Sequence, residues 1–181
     1  PAPMREGRPS LTAVLVSAAR SVGPARQDEL APSLLPPLVG RVLGGLARHR
    51  ATRALVRAAS LGMVDHLALR TAAIDRVVRH AVEDGATQVV ILGAGLDTRA
   101  WRLGLRDVKV FEVDHPDTQQ RKRRLAPSDG APEYVSVDFG KERVGDALDA
   151  APSFDSNACT VWVWEGVTMY LPLYLIHIRP R

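Results

Sequence analysis

The chain has 181 residues, of which 46% are hydrophobic and 24% are charged, as in an ordinary soluble globular protein. This length suits one domain with a proper hydrophobic core. No apolar run approaches the roughly 20 residues that span a membrane, and the amino terminus lacks the apolar region of a secretory signal. We therefore expect a cytoplasmic protein.

The positive charge of the chain is dispersed. The net charge is +4 and the isoelectric point is near 9.7, yet the one dense basic cluster is Arg-Lys-Arg-Arg at residues 121–124. Such a run in a helix is usually a solvated face, and no aromatic residues interleave it for base stacking. Nucleic-acid binding is not indicated.

The single cysteine, Cys159, excludes an internal disulfide and a thiol-rich metal site. It lies at the start of an apolar run, so we expect it to be buried as a small hydrophobic residue. The five histidines do not form a ligand-spaced pair, and we predict no structural metal.

The first part of the chain predicts a series of helices. Apolar residues recur at helical spacing over residues 10–22, with Ser10 placed as the N-cap. Further periodic segments start at Leu38 and cover residues 51–69, and another covers residues 70–84. The last of these leads directly into an apolar run.

Two short apolar runs predict neighbouring strands of a parallel sheet. Residues 89–92 lead into Gly-Ala-Gly at residues 93–95, and residues 108–113 end at Asp114. Both runs are rich in β-branched residues and bounded by glycine or charge, which favours strands buried on both faces. The intervening residues 97–106 have room for a short crossover helix. The sequence therefore predicts a βαβ unit.

The glycines and the acid of this unit indicate a nucleotide site. Residues without a Cβ at the carboxyl end of a parallel strand let a ligand lie against the backbone. Asp114 follows Gly93 by 21 residues, close to the roughly 20 residues at which a carboxylate reaches a ribose. The dinucleotide fingerprint is incomplete, because position 98, where that fingerprint has its third glycine, is Thr98.

Two further strands complete the predicted sheet. Residues 133–137 lead to Asp138-Phe139, and residues 160–164 lead to Glu165. The carboxyl ends of strands in an open parallel sheet form the usual ligand edge. Four residues share this predicted position, namely Gly93, Asp114, Asp138 and Glu165.

Three strings carry a resemblance to a known family. LGAGLDTRAWRL at residues 92–103, FEVDHP at residues 111–116 and WEGVTMYL at residues 164–171 resemble the leucine carboxyl methyltransferase type of S-adenosylmethionine-dependent methyltransferase, particularly its bacterial relatives. The resemblance covers about residues 8–171. It implies an α/β class I Rossmann-like methyltransferase fold, S-adenosyl-L-methionine as cofactor, and methyl transfer to an oxygen of a small molecule.

The resemblance also implies roles for particular residues. Arg70 would hold the carboxylate of the cofactor's methionine moiety, Asp114 the ribose, Asp138 and Phe139 the adenine, and Glu165 the ammonium group. The complete expected cofactor site is Arg70, Gly93, Ala94, Gly95, Asp114, Asp138, Phe139 and Glu165. No catalytic residue is assigned. Residues 1–69 would form an amino-terminal helical cap and residues 70–181 the core, as one structural unit.

The end of the chain departs from the family pattern. The family continues with three more strands, whereas only nine residues follow Pro172 here, so we expect a truncated chain. Its fourth strand would then be an exposed apolar edge carrying Trp162 and Trp164, open to self-association. Two alternatives are an inactive cofactor-binding module and a nicotinamide-dependent oxidoreductase. Thr98 and the lack of a Tyr-x-x-x-Lys pair disfavour the oxidoreductase.

Overall fold

The computed structural model describes residues 11–22, 28–105 and 107–165, and the structural statements below concern these residues. Helices cover most of the first half of the chain, and strands and short helices alternate in the second half. The helices are α1 (Leu11–Val22), α2 (Ala31–Leu34), α3 (Pro37–Arg48), α4 (Arg50–Ala59), α5 (Met63–Glu83), α6 (Arg99–Arg102), α7 (Pro116–Leu125) and α8 (Val144–Asp149). The strands are β1 (Gln88–Leu92), β2 (Lys109–Asp114), β3 (Glu133–Ser136) and β4 (Thr160–Trp164).

The four strands form one parallel sheet in the order β3-β2-β1-β4. At its centre Val90 of β1 pairs with Phe111 of β2 on one side and with Trp162 of β4 on the other. All five residues of β1 are buried, because helices cover both faces of the sheet. The predicted α/β Rossmann-like fold is confirmed.

Alternating side chains of β1 supply the two halves of the core. Val89 and Ile91 face α5 and pack against Val78. On the other face Val90 and Leu92 join a second group of buried residues, which also includes Phe111, Val113, Val135, Val137 and Leu148. The Phe111 ring meets the Phe154 ring edge-on, with the centroids 5.4 Å apart. The period of two along β1 therefore anchors both helical layers to the sheet.

The first three helices pack against the loop that follows β1. Leu34 and Leu35 are buried against Leu96 of that loop. Every described side chain of α4, by contrast, is at least partly exposed. The division of the chain into a cap and a core stays a prediction, and its boundary at residue 70 lies within α5. The predicted N-cap Ser10 lies outside the described residues.

The prediction of separate helices over residues 51–69 and 70–84 is wrong. The chain instead breaks at Leu61 and Gly62, which have φ angles of 49° and 85°, and α5 then runs unbroken for 21 residues. Neither glycine nor proline occurs within α5, so nothing in the backbone interrupts it. Arg70 therefore lies inside a helix and not just before one.

Two further features concern β4. Cys159, which precedes this strand, is exposed, so the expectation that it is buried is wrong; it lies in the connecting segment and not in the strand. Within the described residues β4 forms one edge of the sheet, and the side chain of Trp162 is 38% exposed. Self-association through this edge stays a prediction.

Among the described helices, none is both long and apolar enough to cross a membrane.

Leu61 is a strained position that a substitution can relieve. Its left-handed backbone is unfavourable for a side chain with a Cβ, and its side chain is 95% exposed. We expect Leu61→Gly to raise the free energy of unfolding by up to about 1 kcal/mol. The matched control Leu55→Gly removes another exposed leucine, here within α4, and should lower it by about 1 kcal/mol. Urea unfolding measures both changes, and destabilisation by Leu61→Gly would contradict the interpretation.

Candidate functional site

The carboxyl edge of the sheet gathers the predicted strand-end residues. Gly93 directly follows β1, Asp114 is the last residue of β2, and Glu165 directly follows β4. Asp138 lies two residues beyond the end of β3. Because the strands are parallel, all four lie at the same edge of the sheet. Their roles in binding stay predictions.

The turn after β1 has the backbone conformation that its glycines predict. Gly93 and Gly95 have φ angles of 59° and 49°, in the left-handed region. The N–H groups of Gly93 and Ala94 donate to the carbonyl oxygen of Val113, at 2.7 and 3.2 Å. The side chain of Ala94 is buried in the core. The turn is thus fixed against the end of β2 and presents backbone without side chains at two positions.

Asp114 is held in place by this same turn. One carboxylate oxygen accepts a hydrogen bond from the N–H of Gly95, and the other accepts from the N–H of His115 at 2.6 Å. The residue is only 8% exposed. Burial raises the pKa of Asp114 above its ordinary value, although the two backbone hydrogen bonds oppose the shift. The acid is therefore fixed beside the glycine turn.

Arg70 and Glu165 are brought together from positions 95 residues apart. The guanidinium of Arg70 donates from Nη2 and Nε to one oxygen of Glu165, at 2.7 and 3.2 Å. The side chain of Arg70 is 36% exposed and that of Glu165 is 11% exposed. A cation and an anion thus stand side by side next to the end of β4, and the cation is open to solvent.

A buried arginine that our sequence interpretation missed lies behind this pair. Arg99 is fully buried, and its guanidinium contacts the carboxylates of Asp75 (2.8 Å), Asp97 and Glu165 (2.7 Å). Burial alone would lower the pKa of Arg99, but the charges of these carboxylates outweigh it and raise the pKa. Arg102 adds a second guanidinium on Asp75, at 2.9 Å. The local signal in the sequence is the Asp-Thr-Arg string at residues 97–99, which brings Asp97 and Arg99 together but does not indicate Asp75 or Glu165 as partners.

The charged cluster extends into the helices before the sheet. Asp28, which is 3% exposed, accepts a hydrogen bond from the hydroxyl of Thr98 and lies 3.2 Å from Nε of Arg20. Arg20 also donates to the carbonyl oxygen of Leu96 at 2.7 Å. Burial alone would raise the pKa of Asp97, but the charges of Arg99 and Arg20 hold it well below its usual range. These contacts tie the amino-terminal helices to the loop after β1.

Asp138 and Phe139 are engaged locally. The Asp138 carboxylate accepts from the N–H of Gly140 at 3.0 Å and pairs with Lys141 at 2.9 Å. The hydrogen bond from Lys141 lowers the pKa of Asp138. Phe139 packs, partly buried, against the core on the face of the sheet that α8 covers. The role of Asp138 and Phe139 in binding adenine stays a prediction.

A second buried ion pair lies near Asp114 and involves Glu112, two residues earlier in β2. Glu112 of β2 and Lys122 of α7 are each 1% exposed, and their charged atoms are 2.6 Å apart. The ammonium of Lys122 also lies 5.5 Å from the centre of the Trp101 ring. Burial raises the pKa of Glu112 to about 7 although Lys122 opposes the shift, and the charges of Asp97 and Asp114 add to it. Burial thus favours the neutral form of Glu112, whereas Lys122 favours its charged form.

The sequence as a whole matches a known family. The model of the leucine carboxyl methyltransferase family matches residues 11–174. The chain belongs to the leucine carboxyl methyltransferase family.

Individual relatives agree with this assignment. A Streptomyces coelicolor protein is 36% identical over 179 residues, which cover 92% of this chain and 58% of the relative. A Parafrankia protein is 34% identical over 183 residues, which cover 91% of this chain and 54% of the relative. A Mycolicibacterium paratuberculosis protein is 39% identical over 115 residues, which cover 61% of this chain and 36% of the relative. All three are described as candidate S-adenosyl-L-methionine-dependent methyltransferases. The matched regions span 36 to 58% of the length of these relatives.

Removing the buried guanidinium tests its structural importance. We expect Arg99→Leu to lower the free energy of unfolding by about 3–5 kcal/mol, because it leaves buried carboxylates without their partner. Arg99→Lys, which keeps the charge, should lose less. The control Arg57→Leu breaks an ion pair with Asp65 whose side chains are 38% and 34% exposed, and it should change stability far less. Urea unfolding compares them, and equal losses in the Arg99→Leu and Arg57→Leu variants would contradict the interpretation.

The buried pair predicts a pH dependence of defined sign. With its pKa raised to about 7, Glu112 binds more protons in the folded than in the unfolded chain between about pH 4.5 and pH 7. The unfolding free energy of the wild type, relative to that of Glu112→Gln, should therefore fall by about 3 kcal/mol across this window. Urea unfolding at several pH values measures the difference. A difference that rises with pH would contradict this prediction, because it would mean that the attraction of Lys122 outweighs burial and lowers the pKa of Glu112.

Proposed function

We propose that this chain forms the cofactor-binding part of an S-adenosyl-L-methionine-dependent methyltransferase that methylates an oxygen atom of a small molecule. One observation carries the proposal. In a chain of the leucine carboxyl methyltransferase family, a glycine turn with a buried acid lies at the same edge of the sheet as a cation–anion pair whose cation is open to solvent. The names of the relatives support the identity of the cofactor.

The Arg70–Glu165 pair suits the amino acid end of the cofactor. That end carries one carboxylate and one ammonium group, so it needs a cation and an anion next to each other. A guanidinium can hold a carboxylate with two parallel hydrogen bonds, and a carboxylate can accept from an ammonium. Glu165 keeps a contact with Arg99 at 2.7 Å, so its position does not depend on Arg70 alone.

The glycine turn and Asp114 suit the nucleoside end. Each oxygen of a carboxylate has two lone pairs, so Asp114 can accept from the ribose hydroxyls while it keeps its bonds to Gly95 and His115. The left-handed glycines let a ligand approach the backbone closely. We place the adenine near Asp138 and Phe139 by family resemblance.

The chemistry of the site favours an acceptor that is already ionised. When bound, the cofactor supplies an electrophilic methyl group on a sulfonium. The protein then has to hold the two reactants in line and exclude water. Among the described residues at this edge, the carboxylates of Asp97, Asp114 and Glu165 are all engaged by arginine or by backbone N–H groups. In this proposal Asp114 is used by the ribose and Glu165 by the ammonium group, and no residue is assigned as a general base. A carboxylate acceptor, ionised at neutral pH, needs none.

The helices before the sheet would cover the cofactor and shape the acceptor pocket. Their attachment supports this proposal, since Arg20 and Asp28 bind the loop that follows the glycine turn. An enzyme of this type, acting on a small molecule, would work in the cytoplasm.

Isothermal titration of the 181-residue chain tests the proposed cofactor. S-adenosylmethionine and S-adenosylhomocysteine should bind, and NAD should not. Asp114→Ala should weaken binding by about 10- to 100-fold, the value of hydrogen bonds to a charged group. The control Asp129→Ala removes an exposed acid outside the site and should leave the affinity unchanged.

Circular dichroism melts of the same samples separate loss of binding from loss of folding. A folded chain that binds neither adenosyl compound, or that binds NAD equally well, would contradict the proposal.

A further inference from the structure

A groove with no role in the proposed site lies between α3 and α7. Its volume is about 770 Å³, within the range of small-molecule pockets. None of its residues belongs to the expected cofactor site. They include Leu35, Arg41, Gly45, Arg48, Arg121 and Arg124.

Small residues on one face of α3 create the space. Gly40 allows α3 to touch α2, because a Cβ at this position would lie 2.2 Å from the carbonyl oxygen of Pro32. Five residues further on, Gly45 faces open space, with no atom within 4 Å of the position a Cβ would take. Leu125, which is 41% exposed, adds apolar surface, and the buried Leu35 borders the groove. The groove therefore has a largely apolar floor.

The rim of the groove is strongly positive. It carries four arginines, Arg41, Arg48, Arg121 and Arg124, and among the described residues that line the groove none is acidic. Within the described part of the chain none of these arginines forms an ion pair. The Nε of Arg121 has no hydrogen-bond partner among the described residues.

We propose that this groove binds a single-chain amphipathic anion, a molecule with an apolar chain that ends in a carboxylate. The apolar floor suits the chain, and the unpaired guanidinium groups suit the carboxylate. A nucleic acid fits less well, because no aromatic residue lines the described groove for base stacking. A concave groove also suits one molecule better than the flat surface of a membrane.

Titration of the full chain with dodecanoate below its micelle concentration tests the proposal. Dodecanoate should bind, whereas dodecyltrimethylammonium, which has the same chain and the opposite charge, should bind at least 10-fold more weakly. Acetate, which lacks the chain, should show no binding. Equal affinity for the two dodecyl compounds would overturn the proposal, since it would indicate adsorption to exposed apolar surface.

Two variants locate the site. Gly45→Leu places a side chain in the groove, and because the position is open and helical it should not harm the fold. Arg41→Glu reverses a charge on the rim. Each should weaken dodecanoate binding at least 10-fold with an unchanged thermal melt. The control Arg79→Glu makes the same reversal on the exposed face of α5 and should have no more than a twofold effect.

Further outcomes separate this proposal from its rivals and from the cofactor site. Unchanged affinity in folded Gly45→Leu would overturn it. So would binding to phosphatidylglycerol vesicles without binding to monomeric dodecanoate. Asp114→Ala should leave dodecanoate binding intact, so failure of the cofactor proposal would not affect this test.

Discussion

The structure depends on the ion pairs that neutralise one fully buried guanidinium, that of Arg99. Arg99 contacts carboxylates from α5, from the loop after β1 and from the residue that follows β4. Removal of such charges from water costs several kcal/mol for each ion, and only complete pairing offsets this cost. The three segments must therefore meet at one point. That requirement fixes the end of β4 relative to the glycine turn and aligns the edge of the sheet on which the proposed site lies.

The ion pairs of Arg99 also hold in place the groups that a ligand would contact. Glu165 is held from the protein interior by Arg99, and Arg70 reaches it from the solvent side. Asp114 is held by backbone N–H groups and needs no side-chain partner. Groups that are positioned before a ligand arrives lose little conformational entropy on binding. The site thus combines rigid anions with one accessible cation, an arrangement suited to a ligand that is both a nucleoside and an amino acid.

Much of the sheet could be predicted from the sequence, whereas the charged cluster could not. The strands β1 and β2 are short β-branched runs that end in glycine or acid, and these are local signals. Arg99 forms ion pairs with carboxylates 24 and 66 residues away in the sequence. No local sequence pattern predicts such distant contacts. The predicted division of α5 at residue 70 is wrong, because no glycine or proline lies within α5 and the break falls at Gly62 instead. Cys159 was misplaced because an adjacent apolar run says little about the residue that precedes it.

A crystal structure of the chain with S-adenosylhomocysteine would test the central claim most directly, which is that the sheet edge beside Asp114 holds the cofactor. The account predicts the ribose hydroxyls on the Asp114 carboxylate, and the amino acid end on Arg70 and Glu165, with the direct bond between those two side chains broken. Density for the ligand elsewhere, with the Arg70–Glu165 pair intact, would contradict it.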